Sequence, residues 1–276
     1  MKSNKNRKLN KFKLEIDILD FCNLNCDLCA RGIPLQKDKR FTYYNEIEEI
    51  SKIIKPYEFN TIKIGGGEPT MHPEFSKICQ NLKRLFPAKS YYLATNGFKL
   101  ENFLDEIKVF DTIELSQYPG KNDEVFDKIA EMNLSNVIPV RKEDYTELED
   151  IYRENNLNKK NIYNRCIYKE VTHIVGGRIY PCCNIFGQAM RQNIDLNNIS
   201  VLADENWREN LKKIDIETYC RRCFVKVPSY FNIALYKTLI GTGRFIKQNI
   251  RPLKKYIFKN QIKRQIKKTN ASNKNI

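Results

Sequence analysis

The sequence predicts an α/β fold, an open partial (β/α) barrel of about five to six parallel strands. Three observations lead there. Short runs rich in β-branched and aromatic residues alternate with segments of helical pattern, the rhythm of βα units and a parallel sheet. Five such runs precede residue 142, too few for a complete eight-fold barrel. Cysteines, glycines and small polar residues cluster just past the ends of those runs, where parallel sheets collect their chemistry.

In chain order, the first strand pattern covers 14–21 and a helical pattern covers 45–55. A second strand at 61–64 ends in Gly65-Gly66-Gly67 and is followed by a helical pattern at 74–86. A third at 90–94 runs into Thr95-Asn96-Gly97, with a helical pattern at 100–108. A fourth at 112–115 runs into Ser116, with a helical pattern at 122–133. The fifth, 136–140, runs into Arg141. After about residue 160 the rhythm changes: 173–180 reads as a hairpin turning at Gly176-Gly177, and a loop-rich region bracketed by cysteines follows. The expected domains are a core at 12–160, a small cysteine-bearing domain at 161–228 and a basic, partly helical tail at 229–276.

With 276 residues and 41% hydrophobic content the chain can bury a sizeable core. It contains no apolar run of eighteen residues, which argues against a spanning helix. The basic, Asn-rich start lacks the apolar run of a secretory signal, so a cytoplasmic protein is expected. Of the 48 Lys and Arg, 15 lie after Glu217, the last acidic residue, leaving 33 against 33 acidic side chains in the body. The whole excess of +15 therefore lies after Glu217, and 12 of those basic residues belong to the tail. In the tail, apolar residues such as Phe245, Ile250, Leu253 and Ile257 interleave with Lys and Arg. One reading is a basic amphipathic helix in peripheral contact with an anionic membrane at its inner face. A structural helix closing the barrel is weighted equally, and nucleic-acid binding ranks behind both.

Nine cysteines fall in two sets and one isolated position. The first set, Cys22, Cys26 and Cys29, has the spacing C-x3-C-x2-C. Three thiolates on one loop can hold three irons of a cubane and leave the fourth open to a small chelating ligand. Spacing alone does not exclude zinc. Cys79, inside a helical pattern, reads as a buried core thiol. This cysteine spacing at the end of a first strand resembles the signature of the radical S-adenosylmethionine (SAM) superfamily, and the resemblance spans roughly 12–142. Gly65-Gly66-Gly67-Glu68-Pro69 resembles that family's GGE motif. The resemblance implies a TIM-like partial barrel, a [4Fe-4S] cluster on the three cysteines, and SAM bound near Leu28, Gly66, Gly67, Glu68, Pro69, Thr95, Asn96 and Ser116. It also implies reductive cleavage of SAM to a 5′-deoxyadenosyl radical that takes a hydrogen atom from an unactivated C–H bond, with a flavodoxin- or ferredoxin-type electron donor.

The second set comprises Cys166, Cys182, Cys183, Cys220 and Cys223. By itself it suits an iron–sulfur cluster or a four-cysteine zinc site equally. After a radical SAM domain it resembles the auxiliary-cluster domain called twitch, the short form of SPASM. That implies one auxiliary [4Fe-4S] cluster on Cys166, Cys182, Cys220 and Cys223, with Cys183 as the spare or exchanging roles with Cys182.

For substrate contacts the sequence offers Glu114, Gln117, Tyr118, Arg141 and His173, polar residues at strand ends. Arg141 is the candidate catalytic group, gripping an anion or acting as base toward an alcohol radical. The early first strand favours a small molecule: a sugar, cyclitol or nucleotide-sugar. The leading expectation is alcohol oxidation or epimerisation of a carbohydrate-like substrate. Modification of a peptide or tRNA is the alternative, and a non-catalytic metal-binding scaffold the third.

Overall fold

The computed structural model describes residues 12–26, 29–37, 39–54, 59–142, 166, 168, 171–220 and 223, all within the compact unit Met1–Val227. Leu28, Arg221, Arg222 and the tail at 229–276 lie outside the described residues, as does the expected domain boundary near 160.

The βα rhythm is present. Strand β1 (Phe12–Asp17) leads through a long loop to helix α1 (Tyr44–Ile54), then β2 (Phe59–Gly65), α2 (Phe75–Leu85), β3 (Ala88–Thr95), β4 (Thr112–Gln117), α3 (Asp123–Glu131) and β5 (Val137–Arg141). The hairpin β6 (Val171–Val175) and β7 (Arg178–Tyr180) follows, then α4 (Ile185–Gln192), β8 (Val201–Leu202), α5 (Trp207–Leu211) and α6 (Ile216–Cys220). One sheet holds all eight strands in the order β5-β4-β3-β2-β1-β6-β7-β8. Strands β1 to β6 pair in parallel, and β7 and β8 add antiparallel strands at one edge. The hairpin thus extends the sheet on the β1 side. Its turn at Gly176 and Gly177 uses positive φ at both residues, which glycine adopts without a Cβ clash.

Two elements differ from the sequence pattern. β1 stops at Asp17; beyond it Leu19 makes an isolated antiparallel bridge to Phe41. The 100–108 stretch forms two single 3-10 turns, Leu100–Phe103 and Glu106–Val109. Its helical apolar spacing is still used, because Leu100, Phe103, Ile107 and Phe110 all reach the core.

Alternation along the strands decides the two faces of the sheet. Leu14, Ile16, Ile62, Ile64, Leu93, Ile113, Leu115 and Ile174 are buried in one core cluster with Ile47, Ile50 and Ile54 of α1 and Ile78, Cys79 and Leu82 of α2. Cys79 is a core thiol, 1% exposed. The other face carries Glu15, Asp17, Lys63, Tyr92, Glu114 and His173. Register sets Glu15 opposite both Lys63 and His173, and Lys63 opposite Tyr92, so these side chains form a transverse polar row.

Buried charges persist only when paired, and this row is paired throughout. Lys63 Nζ lies 2.6 Å from Glu15, and Arg31 reaches Glu15 and, at 2.9 Å, Asp17. His173 Nε2 lies 2.8 Å from Asp17 Oδ2, a close approach without hydrogen-bond geometry. Burial disfavours the Glu15 carboxylate, but Arg31, Lys63 and His173 together hold its pKa well below the usual range. The unfolded chain therefore takes up the proton first as pH falls. The stability Glu15 contributes is complete above about pH 4.3 and is lost progressively below it. Glu15→Gln strands Arg31 and Lys63 without this counter-charge. It is expected to cost about 3–5 kcal/mol at neutral pH and to flatten the acid limb of the stability profile, read by urea denaturation between pH 3 and 7.

Candidate functional site

The first cysteine loop is threaded under the end of β2. Gly67 N donates to Leu19 O at 3.0 Å and Glu68 N to Phe21 O at 2.9 Å. A Cβ on Gly67 would stand 1.7 Å from Phe21 O, and one on Gly66, whose φ is +124°, 2.4 Å from Leu19 O. The glycines are thus required where the β2 end meets the backbone that delivers Cys22, one step earlier than any ligand contact.

Glu68 lies behind this junction, fully buried. Its carboxylate accepts from Thr70 N and Oγ1, from Thr95 Oγ1 at 2.6 Å and from Asn96 N at 2.7 Å. Burial pushes its pKa up, and those donors oppose the shift. The side chain therefore ties the β2 end to the β3 end. Pro69 opens the turn beside it and is also buried. Asn96 continues the link: its Nδ2 donates to Asn23 Oδ1 at 2.9 Å and approaches Cys22 Sγ at 3.6 Å. Asn122, just before α3, donates to both Asn96 O and Ser116 O and accepts from Tyr118 N, which fixes the β3 and β4 ends together.

These ends surround a cavity of about 280 Å³. Its lining includes Cys22, Cys26 and Cys29, Gly65, Gly66 and Gly67, and Thr95, Asn96 and Ser116. It also includes the charged Glu15, Arg31, Lys63, Glu114 and Lys142, with Ser116 Oγ donating to Glu114. Lys142 Nζ and Tyr92 Oη both donate to Glu114 and hold its pKa down against burial. With Asp17 behind Arg31, the three cations of this lining meet three carboxylates.

The donor set of the first loop fits a thiolate-bound cluster. Cys22, Cys26 and Cys29 are free thiols in this lining, within electrostatic reach of one another. Burial pushes the Cys22 thiol up to about 12, with Glu68 and the other two thiols adding to the shift. A metal bound there would supply the positive charge these thiolates lack. Among the described residues no three such side chains converge on the point a single ion would occupy. A cubane takes one thiolate at each of several corners and requires no such point.

The second set is also brought together. Cys166 packs against Cys220, and Cys220 is pushed up by burial and by its neighbours Cys223 and Cys166. Cys182 is raised by its hydrogen bond to Cys183 and by burial, with Cys223 also within reach. Cys183 faces the cavity of the first set, whereas Cys182 is not part of that lining.

Several expected site residues stand elsewhere. Arg141 is exposed on edge strand β5, opposite Gln117; Lys142, the next residue, is the one that enters the cavity, because strand neighbours point to opposite faces. Gln117 is engaged by Asp123. His173 is wholly buried against Asp17, behind the cavity floor. Glu114, Tyr118, Ser116, Thr95, Asn96, Gly66 and Gly67 all line the cavity. Sequence reasoning missed Glu15, Lys63, Arg31 and Asn122. The first two carried a legible signal, a charge alternating with buried aliphatics inside a strand.

Fold and site together define a class: a parallel α/β sheet that presents a three-thiol loop just beyond its first strand. The radical SAM superfamily matches residues 16–155, just over half of the chain, and the chain belongs to that superfamily. It is 37% identical over 111 residues to a probable GTP 3′,8-cyclase of Methanococcus aeolicus, covering 39% of this chain and 36% of that protein. It is 31% identical over 121 residues to molybdenum cofactor biosynthesis protein 1 of Drosophila melanogaster, covering 42% and 21%. The chain thus spans about a third or less of the curated relatives it matches. Among solved structures, BtrN in complex with AdoMet and 2-DOIA is similar at a TM-score of 0.55 and 16% identity, over 79% of this chain and 88% of that one. This likeness is one of fold. Family membership implies a [4Fe-4S] cluster and SAM, and no helix among the described residues is long and apolar enough to cross a membrane.

Gly67→Ala is expected to force the 19–22 backbone off β2 at a cost of about 1–3 kcal/mol. Hydrogen exchange will show faster exchange at Gly67 and Glu68 with the core strands unchanged; unaltered protection would remove the structural requirement inferred for this glycine.

Proposed function

We propose that this protein is a radical SAM oxidoreductase acting on a small, electrically neutral or zwitterionic polyhydroxylated molecule such as a sugar or cyclitol, leading to alcohol oxidation or epimerisation. The observation that carries the reading is the make-up of one cavity lining. Three thiols, glycine backbone and small polar residues share it with cations that are already paired to carboxylates. The bound cluster and SAM supply a 5′-deoxyadenosyl radical able to take hydrogen from an unactivated C–H bond.

The remaining work falls to this chain. Cys22, Cys26 and Cys29 hold the cluster. Gly66, Gly67, Thr95, Asn96 and Ser116 present backbone and short polar groups to SAM, held in place by Glu68 and Asn122. Lys63, Lys142, Glu15 and Glu114 offer donors and acceptors to hydroxyl groups without a net field. Lys142 takes the part first considered for Arg141: held in place by Glu114, it donates to a substrate oxygen. Cys166, Cys182, Cys220 and Cys223 would hold an auxiliary [4Fe-4S] cluster, a one-electron acceptor for a substrate that has already lost a hydrogen atom; a flavodoxin- or ferredoxin-type protein would supply the separate electron that SAM cleavage consumes.

A second reading, a purine nucleotide substrate, is favoured by the similarity to GTP 3′,8-cyclases. The cavity charges weigh against it. A polyphosphate would have to draw Lys63 from Glu15 or Lys142 from Glu114, and would then lie beside the carboxylate it had partly uncovered, with only Arg31 or Tyr92 still bound to that carboxylate.

Anaerobic reconstitution with iron and sulfide, followed by a SAM-cleavage assay under dithionite, tests the reading. About eight irons per chain and release of 5′-deoxyadenosine are expected. The Cys22→Ala/Cys26→Ala/Cys29→Ala variant should lose about half of that iron and all cleavage. Zinc in place of iron, or no cleavage by a loaded chain, would overturn it. Cyclitols, amino sugars and nucleotides offered in deuterated buffer then separate the reactions: a ketone marks oxidation, a deuterated epimer marks epimerisation. Lys142→Met is expected to lower kcat/KM for the accepted substrate by about ten- to a hundredfold, the worth of a charged hydrogen bond.

A further inference from the structure

The two cysteine sets hold each other by their backbones. Arg31, two residues past Cys29, donates Nη1 to Cys183 O. Arg191, on the helix that follows Cys182 and Cys183, donates Nη2 to Cys29 O at 2.6 Å. Each motif therefore has a carbonyl engaged by a guanidinium that belongs to the other.

Two glycines permit the approach. A Cβ on Gly187 of α4 would stand 1.9 Å from Ala30 O, and one on Gly32 would stand 2.9 Å from Met190 Cβ. Helix α4 consequently lies against the segment just after Cys29, at a separation that side chains would forbid. Neither arginine is loosely held. Arg31 is fixed between Glu15 and Asp17, and the Arg191 Nε is buried.

We propose that this reciprocal arginine clasp couples the two cysteine sites, with Arg191 a positioning residue for the group at Cys22, Cys26 and Cys29, and Arg31 one for the group at the C-terminal cysteines. The inference rests on the reading of the first set as iron–sulfur ligands. Arg191 on the carbonyl of Cys29 stops a ligand residue's own peptide from turning, and Arg31 on the carbonyl of Cys183 does so one residue past Cys182. Each guanidinium also places positive charge beside a thiolate cluster, which favours the reduced state. Because the guanidinium on each side comes from the other motif, a change of geometry at one site is transmitted to the other through α4.

The test uses the full chain, reconstituted anaerobically, with redox titration and electron paramagnetic resonance of the first cluster with and without SAM. Arg191→Gln, although outside the first motif, is expected to keep its iron while that cluster's potential moves negative and its SAM-induced spectral change weakens. Arg191→Lys, which keeps the charge, should recover part of the shift. Emptying the second site with Cys166→Ser/Cys220→Ser/Cys223→Ser, which leaves both arginines in place, should also alter the first cluster's spectrum. This arm stands even if Arg191→Gln fails to fold. Variants that keep the iron of the first set but leave its potential and SAM response unmoved overturn the clasp alone. A wild-type chain that retains no iron at the first set overturns both the clasp and the function it rests on.

Discussion

The backbone of Gly66 and Gly67 pressed against Leu19 and Phe21 is the contact on which the site depends. It fixes where the chain goes after β1 stops at Asp17, and hence where Cys22 begins. The next layer is built on that junction. Glu68 carries it sideways to Thr95 and Asn96, and Asn122 carries it on to Ser116. Three strand ends and a cysteine loop are thereby held by one continuous set of hydrogen bonds, most of them buried. Such a network is rigid because breaking any member leaves a buried polar group unpaired.

Rigidity at the strand ends is matched by charge economy in the cavity. The cations that line it, Arg31, Lys63 and Lys142, are each engaged by Glu15, Asp17 or Glu114 before any ligand arrives. A cavity of this kind has little net attraction for an ion. It is well supplied with directional donors and acceptors, which suits recognition of hydroxyl groups by position rather than by charge.

Much of this was legible in the sequence. The five parallel strands, the hairpin at Gly176-Gly177 and the gathering of Cys22, Gly66, Thr95 and Ser116 followed from periodicity and from where unusual residues sat. The rest was hidden for physical reasons. Arg141 and Lys142 are adjacent basic residues, and only the pairing of β5 with β4 decides which one faces inward. Glu68 belongs to a motif whose local pattern suggested ligand contact, yet its four donors come from residues up to 28 positions away. Arg31 and Arg191 lack any local signal, since their partners lie 152 and 162 residues distant in sequence.

The distance between Cys29 and Arg191 has a consequence for biosynthesis. At about 5–20 residues per second, roughly ten to thirty seconds separate the emergence of these two residues from the ribosome. During that interval the β2 end can already support the Cys22 side of the loop, while the Cys29 side still lacks α4. The thiol pocket is therefore completed late, after most of the chain has been made. The contact that fixes the Cys29 carbonyl thus forms only once Arg191 has emerged.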